Sequence, residues 1–235
     1  MDVPLLFHHG GQDTHAVRAR AQFVNHFYTA PPQPAKGTFV CAAGLFFRHT
    51  HVFMPSPADW TEAYLGVGAN LGDRLAQIDR ALVRLDAQAE VSVERVSSAY
   101  ESEAHRRAGQ EEVPAFMNGV VHIQTALSAH ALLHTTQALE KQAGRPASAP
   151  RWAPRLLDID LLMVGTATVC TERLTLPHPR IHERRFVLMP WAELAPNLWV
   201  PDPFDATVQN LLQTCSDPHA LHRRSEPLAR SLFPA

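Results

Sequence analysis

From Trp60 onward the apolar positions fall into two clear periods. EAYLGVGANLGDR opens this part with a short apolar run, a Gly-rich stretch and a polar end; it predicts a strand, a turn and a helix start. Leu75, Ile78, Leu82 and Leu85 follow at i, i+3, i+7 and i+10, one apolar face of a helix. Residues 91–100 are rich in β-branched residues and serines and predict a second strand. After a polar loop, 101–114, residues 115–125 predict a third. Ser128 is placed to cap a helix carrying Leu132, Leu133, Thr136 and Leu139, and Gly144 to close it. Residues 156–164 predict a strand, with 168–175 as a candidate partner. A helix over about 186–194 and a weaker one near 206–214 complete the pattern. The order βαββαβ with additions suits a ferredoxin-like α+β layer, helices on one face of a largely antiparallel sheet.

Residues 1–58 break this regularity. They hold six of the fourteen histidines and a PPQP run, Pro31 to Pro34, with no sustained period. The expected organisation is therefore an N-terminal extension over 1–58, a domain over 59–220 and a C-terminal tail over 221–235. Met54 stands directly before the first strong strand, so 1–53 reads as a start-site over-extension with no catalytic part; a transit peptide is the weaker reading.

Composition narrows the function classes. Hydrophobic residues make up 46% and charged residues 19%, as in a globular chain. The formal net charge of -2 carries no electrostatic footprint for nucleic acid or an anionic membrane. No apolar run reaches the ~18–20 residues that span a bilayer. Cys41, Cys170 and Cys215 are sparse and far apart, which fits reduced thiols and a cytoplasmic location. A monomer is expected.

The chemistry concentrates in RWAPRLLDIDLLMVG, residues 151–165. On a strand, Leu157, Ile159 and Leu161 share one face, and Asp158 and Asp160 the other. Their Cα atoms would lie roughly 6.5 Å apart. Two carboxylates so spaced suit a pair of hard cations, which magnesium completes with phosphates and water. Arg151 and Arg155 nearby suit phosphate oxygens. An isolated DxD would more often face water or form ion pairs. Downstream, RLTLPHPRIHERRF adds Arg173, Arg180, Arg184 and Arg185 with His178 and His182, a candidate triphosphate clamp. His130 and His134 have zinc-compatible i, i+4 spacing but no third ligand, and read as helix-face residues.

These motifs together, with YLGVGANLGDR, FMNGVV, LEKQAGR and LMPWAELAP, resemble the 6-hydroxymethyl-7,8-dihydropterin pyrophosphokinase family of folate biosynthesis, over about 63–203. The resemblance implies a ferredoxin-like fold and transfer of a pyrophosphoryl unit from ATP to the pterin alcohol, with AMP released and two magnesium ions taking part. It implies Asp158 and Asp160 as metal ligands, with Arg155 beside them as a catalytic residue. It implies Gln137, Glu140, Trp152, Arg155, Arg173, Thr175, His178 and Arg184 around ATP. Around the pterin it implies Ser102, Phe116, Asn118, Trp152 and Phe186. Gly66–Val67–Gly68 is read as a tight turn beside the ligand, not a Walker motif, with Asn70 near the helix start.

The chain departs from that family's pattern in three places. Ser102–Glu103–Ala104 stands where Thr-Pro is usual, the loop that follows is longer and more charged, and Ala147 replaces an arginine that often meets ATP. Two other classes remain open: a different DxD phosphotransferase or nuclease, and a non-catalytic binder. Formation of AMP from ATP and the pterin alcohol separates all three.

Overall fold

The computed structural model describes residues 60–103, 114–144 and 155–233. The extension, most of the charged loop before Pro114, and the segment containing Ala147, Arg151 and Trp152 lie outside the described residues.

The elements begin with β1 (Thr61–Ala69), α1 (Arg74–Asp86), β2 (Val91–Val96), β3 (Ser98–Ser102) and β4 (Phe116–Thr125). They continue with α2 (Ala129–Gln142), β5 (Asp158–Val164), the two-residue strands β6 (Val169–Cys170) and β7 (Thr175–Leu176), and α3 (Arg185–Leu194). The last are β8 (Trp199–Val200), β9 (Ala206–Thr207), α4 (Val208–Thr214) and β10 (Leu221–Pro227). The main sheet has six strands in the order β10-β3-β4-β1-β5, with β2 also on β4. Every pairing in it is antiparallel. No helix among the described residues is long and apolar enough to cross a membrane.

The helices are set by local chemistry. Asp73 accepts from the Ala76 N–H at the start of α1, and Ser128 from the Ala131 N–H at the start of α2. Gly144, at φ +102°, leaves α2 in the left-handed conformation that glycine adopts without a Cβ penalty. Ile78, Leu82 and Leu85 are fully buried, the face that the spacing predicts.

Five expectations need correction. Residues 91–100 are two strands, not one. The break is at buried Ser97, whose hydroxyl accepts from the Val120 N–H and donates to the Ser98 carbonyl, so both pieces can still pair with β4. Residues 168–175 do not extend the main sheet; β6 and β7 pair with each other. Gly66 and Gly68 are not in a turn. They lie inside β1, and the left-handed glycine at the turn is Gly72, φ +61°.

The fourth concerns layers. The helices cover both faces of the sheet. α1 and α2 pack with Ala63, Leu65, Val67, Met117, Val121, Ile123, Ile159 and Leu161. α3 and α4 pack with Tyr64, Val120, Leu162 and Met163. The alternation of β1 and β4 between the two clusters is the period-2 pleat read in three dimensions. The segment read as a tail forms edge strand β10 on β3, and its continuation buries Leu228 and Ala229 on the α1 side.

Candidate active site

Asp158 and Asp160 project from the face of β5 opposite Ile159 and Leu161. Antiparallel pairing sets Asp158 against Gly68 and Asp160 against Gly66. A Cβ at Gly68 would press on the Asn118 side chain, 3.1 Å from its Oδ1, and one at Gly66 would meet Leu162 at 3.4 Å. Gly68 is in turn paired with Asn118 of β4, and Asn118 with Tyr100 of β3. One row therefore runs across the sheet from β3 through Asn118 and Gly68 to Asp158. Ser102 and Asn118 are both buried, and the Asn118 amide donates to the Ser102 hydroxyl at 2.8 Å. Phe116 is paired with Ser102 and is half-buried.

Each aspartate meets a guanidinium among the described residues. Arg155 Nη1 donates to Asp158 Oδ1 at 2.5 Å, and Arg184 Nη1 to Asp160 Oδ2 at 3.0 Å. Arg155 is itself fixed through its backbone: its N–H donates to Asn70 Oδ1 at 2.6 Å, and its carbonyl accepts from the Asn70 N–H. Asn70 is fully buried, and its side-chain amide nitrogen has no hydrogen-bond partner among the described residues. Asn70 thus does more than start a helix; it joins the end of β1 to the arginine beside Asp158.

Glu140 is buried on α2, and one of its carboxylate oxygens accepts the Ile159 N–H at 2.9 Å. Ile159 lies between the two aspartates, so Glu140 fixes the peptide that carries them. Arg184 precedes α3 and stands 5.7 Å from the centroid of the Phe186 ring, within cation–π range. His178 donates its N–H to the Leu162 carbonyl, and its Nδ1 accepts from the Arg180 N–H, leaving Nε2 to carry the proton of a neutral ring. Burial pushes the His178 pKa down; the pull of Asp160 in the other direction does not overcome it.

The residues named from the sequence are thus brought together unevenly. Arg155, Asp158, Asp160 and Arg184 form two contacting pairs, with His178 electrostatically linked to Asp160. Ser102, Asn118 and Phe116 form a second group along the same sheet. Gln137, Arg173 and Thr175 are exposed, on α2, before β7 and on β7. Trp152 lies outside the described residues. His130 and His134 are both exposed, and no group of three or more metal-binding side chains occurs among the described residues. The sequence signal for Gly66 and Gly68 on one face of a strand is their i, i+2 spacing in GVGAN.

The model of the 7,8-dihydro-6-hydroxymethylpterin-pyrophosphokinase (HPPK) family matches residues 64–196. The chain belongs to this family. A 2-amino-4-hydroxy-6-hydroxymethyldihydropteridine pyrophosphokinase of Bacillus subtilis is 41% identical over 132 residues, 56% of this chain and 77% of the relative. One of Synechocystis is 38% identical over 162 residues, 67% of this chain and 80% of the relative. Among solved structures, an HPPK-DHPS in complex with substrates aligns with a TM-score of 0.52 at 11% identity. A substituted Plasmodium falciparum HPPK-DHPS with pterin and p-hydroxybenzoate aligns with a TM-score of 0.51 at 13% identity. Each alignment covers 66% of this chain and 43% of the other, so this chain spans less than half of those proteins. At such identities they speak for the HPPK fold alone, an α+β, ferredoxin-like arrangement.

Proposed function

We propose that this chain transfers the pyrophosphoryl group of ATP to the hydroxymethyl oxygen of 6-hydroxymethyl-7,8-dihydropterin, giving AMP and the pterin diphosphate in folate biosynthesis. Family membership supports the activity. The observation that carries it to particular residues is the pair Asp158 and Asp160, each beside a glycine of β1 and each held by an arginine.

The donor set suits magnesium. Two carboxylates on one open strand face, without a third protein ligand among the described residues, leave positions for phosphate oxygens and water. We assign Asp158 and Asp160 to two magnesium ions, which when bound would neutralise phosphate charge and favour the alkoxide character of the attacking oxygen. The pterin hydroxyl oxygen forms a bond to the β-phosphorus. The bond from that phosphorus to the α,β-bridging oxygen breaks, AMP leaves with that oxygen, and the hydroxyl proton goes to solvent.

The chain's own groups do the positioning. Arg155 and Arg184 already sit against the two carboxylates, where they meet the phosphates and take up charge at the group in flight. His178, kept neutral by burial, offers Nε2–H as a donor to a phosphate oxygen. Gln137, Glu140, Trp152, Arg173 and Thr175 complete the nucleotide site in this reading. Phe116 and Phe186 supply aromatic faces for the flat pterin, and Asn118 and Ser102 supply polar contacts at its rim. No side chain is assigned as a dedicated general base; proximity and charge stabilisation account for the rate. In this reading the catalytic unit begins at residue 59 and includes β10 and the core residues Leu228 and Ala229, and 1–53 contribute nothing to it.

The test is direct. The purified chain is mixed with ATP, magnesium and the dihydropterin alcohol, and nucleotides are resolved over time. Pterin-dependent AMP is expected. ADP, or nucleotide turnover indifferent to the pterin, would end this reading.

A further inference from the structure

The segment between α4 and β10 holds a buried acid that neither the motifs nor the family match reaches. Asp217 lies beyond the matched residues, 64–196, and its side chain is 2% exposed. Oδ2 accepts the Arg185 N–H at 3.0 Å, across a sequence separation of 32 residues. Oδ1 accepts the His219 N–H at 3.1 Å and meets His219 Nδ1 at 2.6 Å.

Arg185 is the first residue of α3, and the residue before it, Arg184, makes no side-chain cap. The helix start would otherwise leave its first N–H groups without a side-chain acceptor. Asp217 therefore serves as the cap from another part of the chain, and its charge suits the positive end of the helix. Desolvating a carboxylate is costly, and here three donors offset it. The peptide it holds is the one joining Arg184 to Arg185. Arg184 is the residue whose guanidinium meets Asp160, and Phe186 follows one position later.

We propose that Asp217 is a positioning residue: by fixing the 184–185 peptide it sets the Arg184 guanidinium opposite Asp160 for use at the phosphates. This rests on the pyrophosphokinase reading. A cap that only stabilised α3 would alter unfolding and leave turnover per folded molecule unchanged. A positioning residue acts through Arg184, so its loss costs nothing further once Arg184 is gone.

The experiment is a double-mutant cycle on the full chain, with Asp217→Ala, Asp217→Asn and Arg184→Ala, singly and combined. AMP release is followed with ATP and the dihydropterin alcohol each varied. Asp217→Ala is expected to lower kcat/KM about tenfold, the lower end for a residue supporting a ligand-contacting group. Asp217→Asn, which keeps one acceptor oxygen for the Arg185 N–H, should recover most of this. In the Arg184→Ala background the Asp217 effect should vanish. Additive losses, or a lower Tm with unchanged kcat/KM, would overturn the proposal. If Asp217→Ala does not fold, Asp217→Leu, which fills the space without an acceptor for the Arg185 N–H, is carried through the same cycle and read the same way. If the wild-type chain forms no AMP, the pyrophosphokinase reading fails; the cycle is then run on ATP affinity by calorimetry, where additivity still decides the role of Asp217.

Discussion

The two faces of β1 and β5 are built from adjacent residues to opposite ends. On one face Leu65, Val67, Ile159 and Leu161 join the core under α1 and α2, each with almost no solvent exposure. On the other, one residue away in every case, stand Gly66, Gly68, Asp158 and Asp160. The first face is filled with aliphatic side chains; the second carries two glycines and two charges at this end, beside Leu162 and Tyr64 under α3. The pleat lets one strand contribute fully to both tasks, because a substitution on one face leaves the other in place. The comparison predicts that stability and activity can be lost separately from neighbouring positions.

The largest separation should come from the acids. Asp158→Ala or Asp160→Ala is expected to lower turnover by about 10²–10³-fold, as for loss of one charge-stabilising group at a reacting centre. The fold should persist, since neither side chain lies in the aliphatic core. Steady-state AMP release and thermal unfolding are measured together. Near-normal turnover of either variant at limiting magnesium would sink the metal assignment.

Leu65→Ala is the converse. The side chain is fully buried, so truncation should cost about 2–5 kcal/mol in stability. Turnover per folded molecule should stay close to wild type at low temperature. A loss of kcat larger than the loss of folded protein would show that the two faces are coupled.

Phe186→Ala tests the pterin side. Removing a stacking ring costs roughly 1–3 kcal/mol by analogy with bases, or about 5- to 150-fold in affinity. Calorimetric titration should show that loss for the pterin and little for ATP. Equal losses for both ligands would return Phe186 to the apolar cluster under α3, in which it is partly buried.

The two glycines predict a finer contrast. A Cβ at Gly68 would lie 3.1 Å from Asn118 Oδ1, so Asn118 must shift. A Cβ at Gly66 meets Leu162 at an ordinary 3.4 Å. Gly68→Ala should weaken the pterin by about fivefold, equivalent to about 1 kcal/mol, while Gly66→Ala leaves pterin affinity unchanged. Pterin affinities measured side by side decide it, and the reverse order would remove Asn118 from the pterin rim.

What the sequence disclosed follows the same division. The DID alternation was legible because a period of two separates the faces without any tertiary knowledge. The α1 face was legible for the same reason at a period of 3.6. The period gives no sign of which sheet face a helix covers, so the placement of α3 and α4 was missed. The break at Ser97 was hidden in a continuous β-branched run. β10 reads LHRRSEP and is exposed along most of its length, as an edge strand permits, so it carries no apolar alternation to find. Asp217 caps a helix 32 residues away, and local capping signatures do not extend that far.

The smallest expected effect concerns this buried acid and acidity. Burial alone would raise the Asp217 pKa; hydrogen bonds from the His219 ring and from the His219 and Arg185 N–H groups overcome it and hold the carboxyl below its ordinary 3.8. The folded chain therefore binds this proton less readily than the unfolded one. Ionised Asp217 contributes stability in full above the unfolded value, and the contribution is lost as pH falls through the lower folded value. Asp217→Asn removes that dependence. Thermal unfolding followed from about pH 6 to about pH 2.5 should show wild type and variant separated by roughly a few degrees at the upper end and converging in acid. Curves that stay parallel throughout would mean that Asp217 carries no stabilising charge at the start of α3, and the hold on Arg184 would then have to come from packing alone.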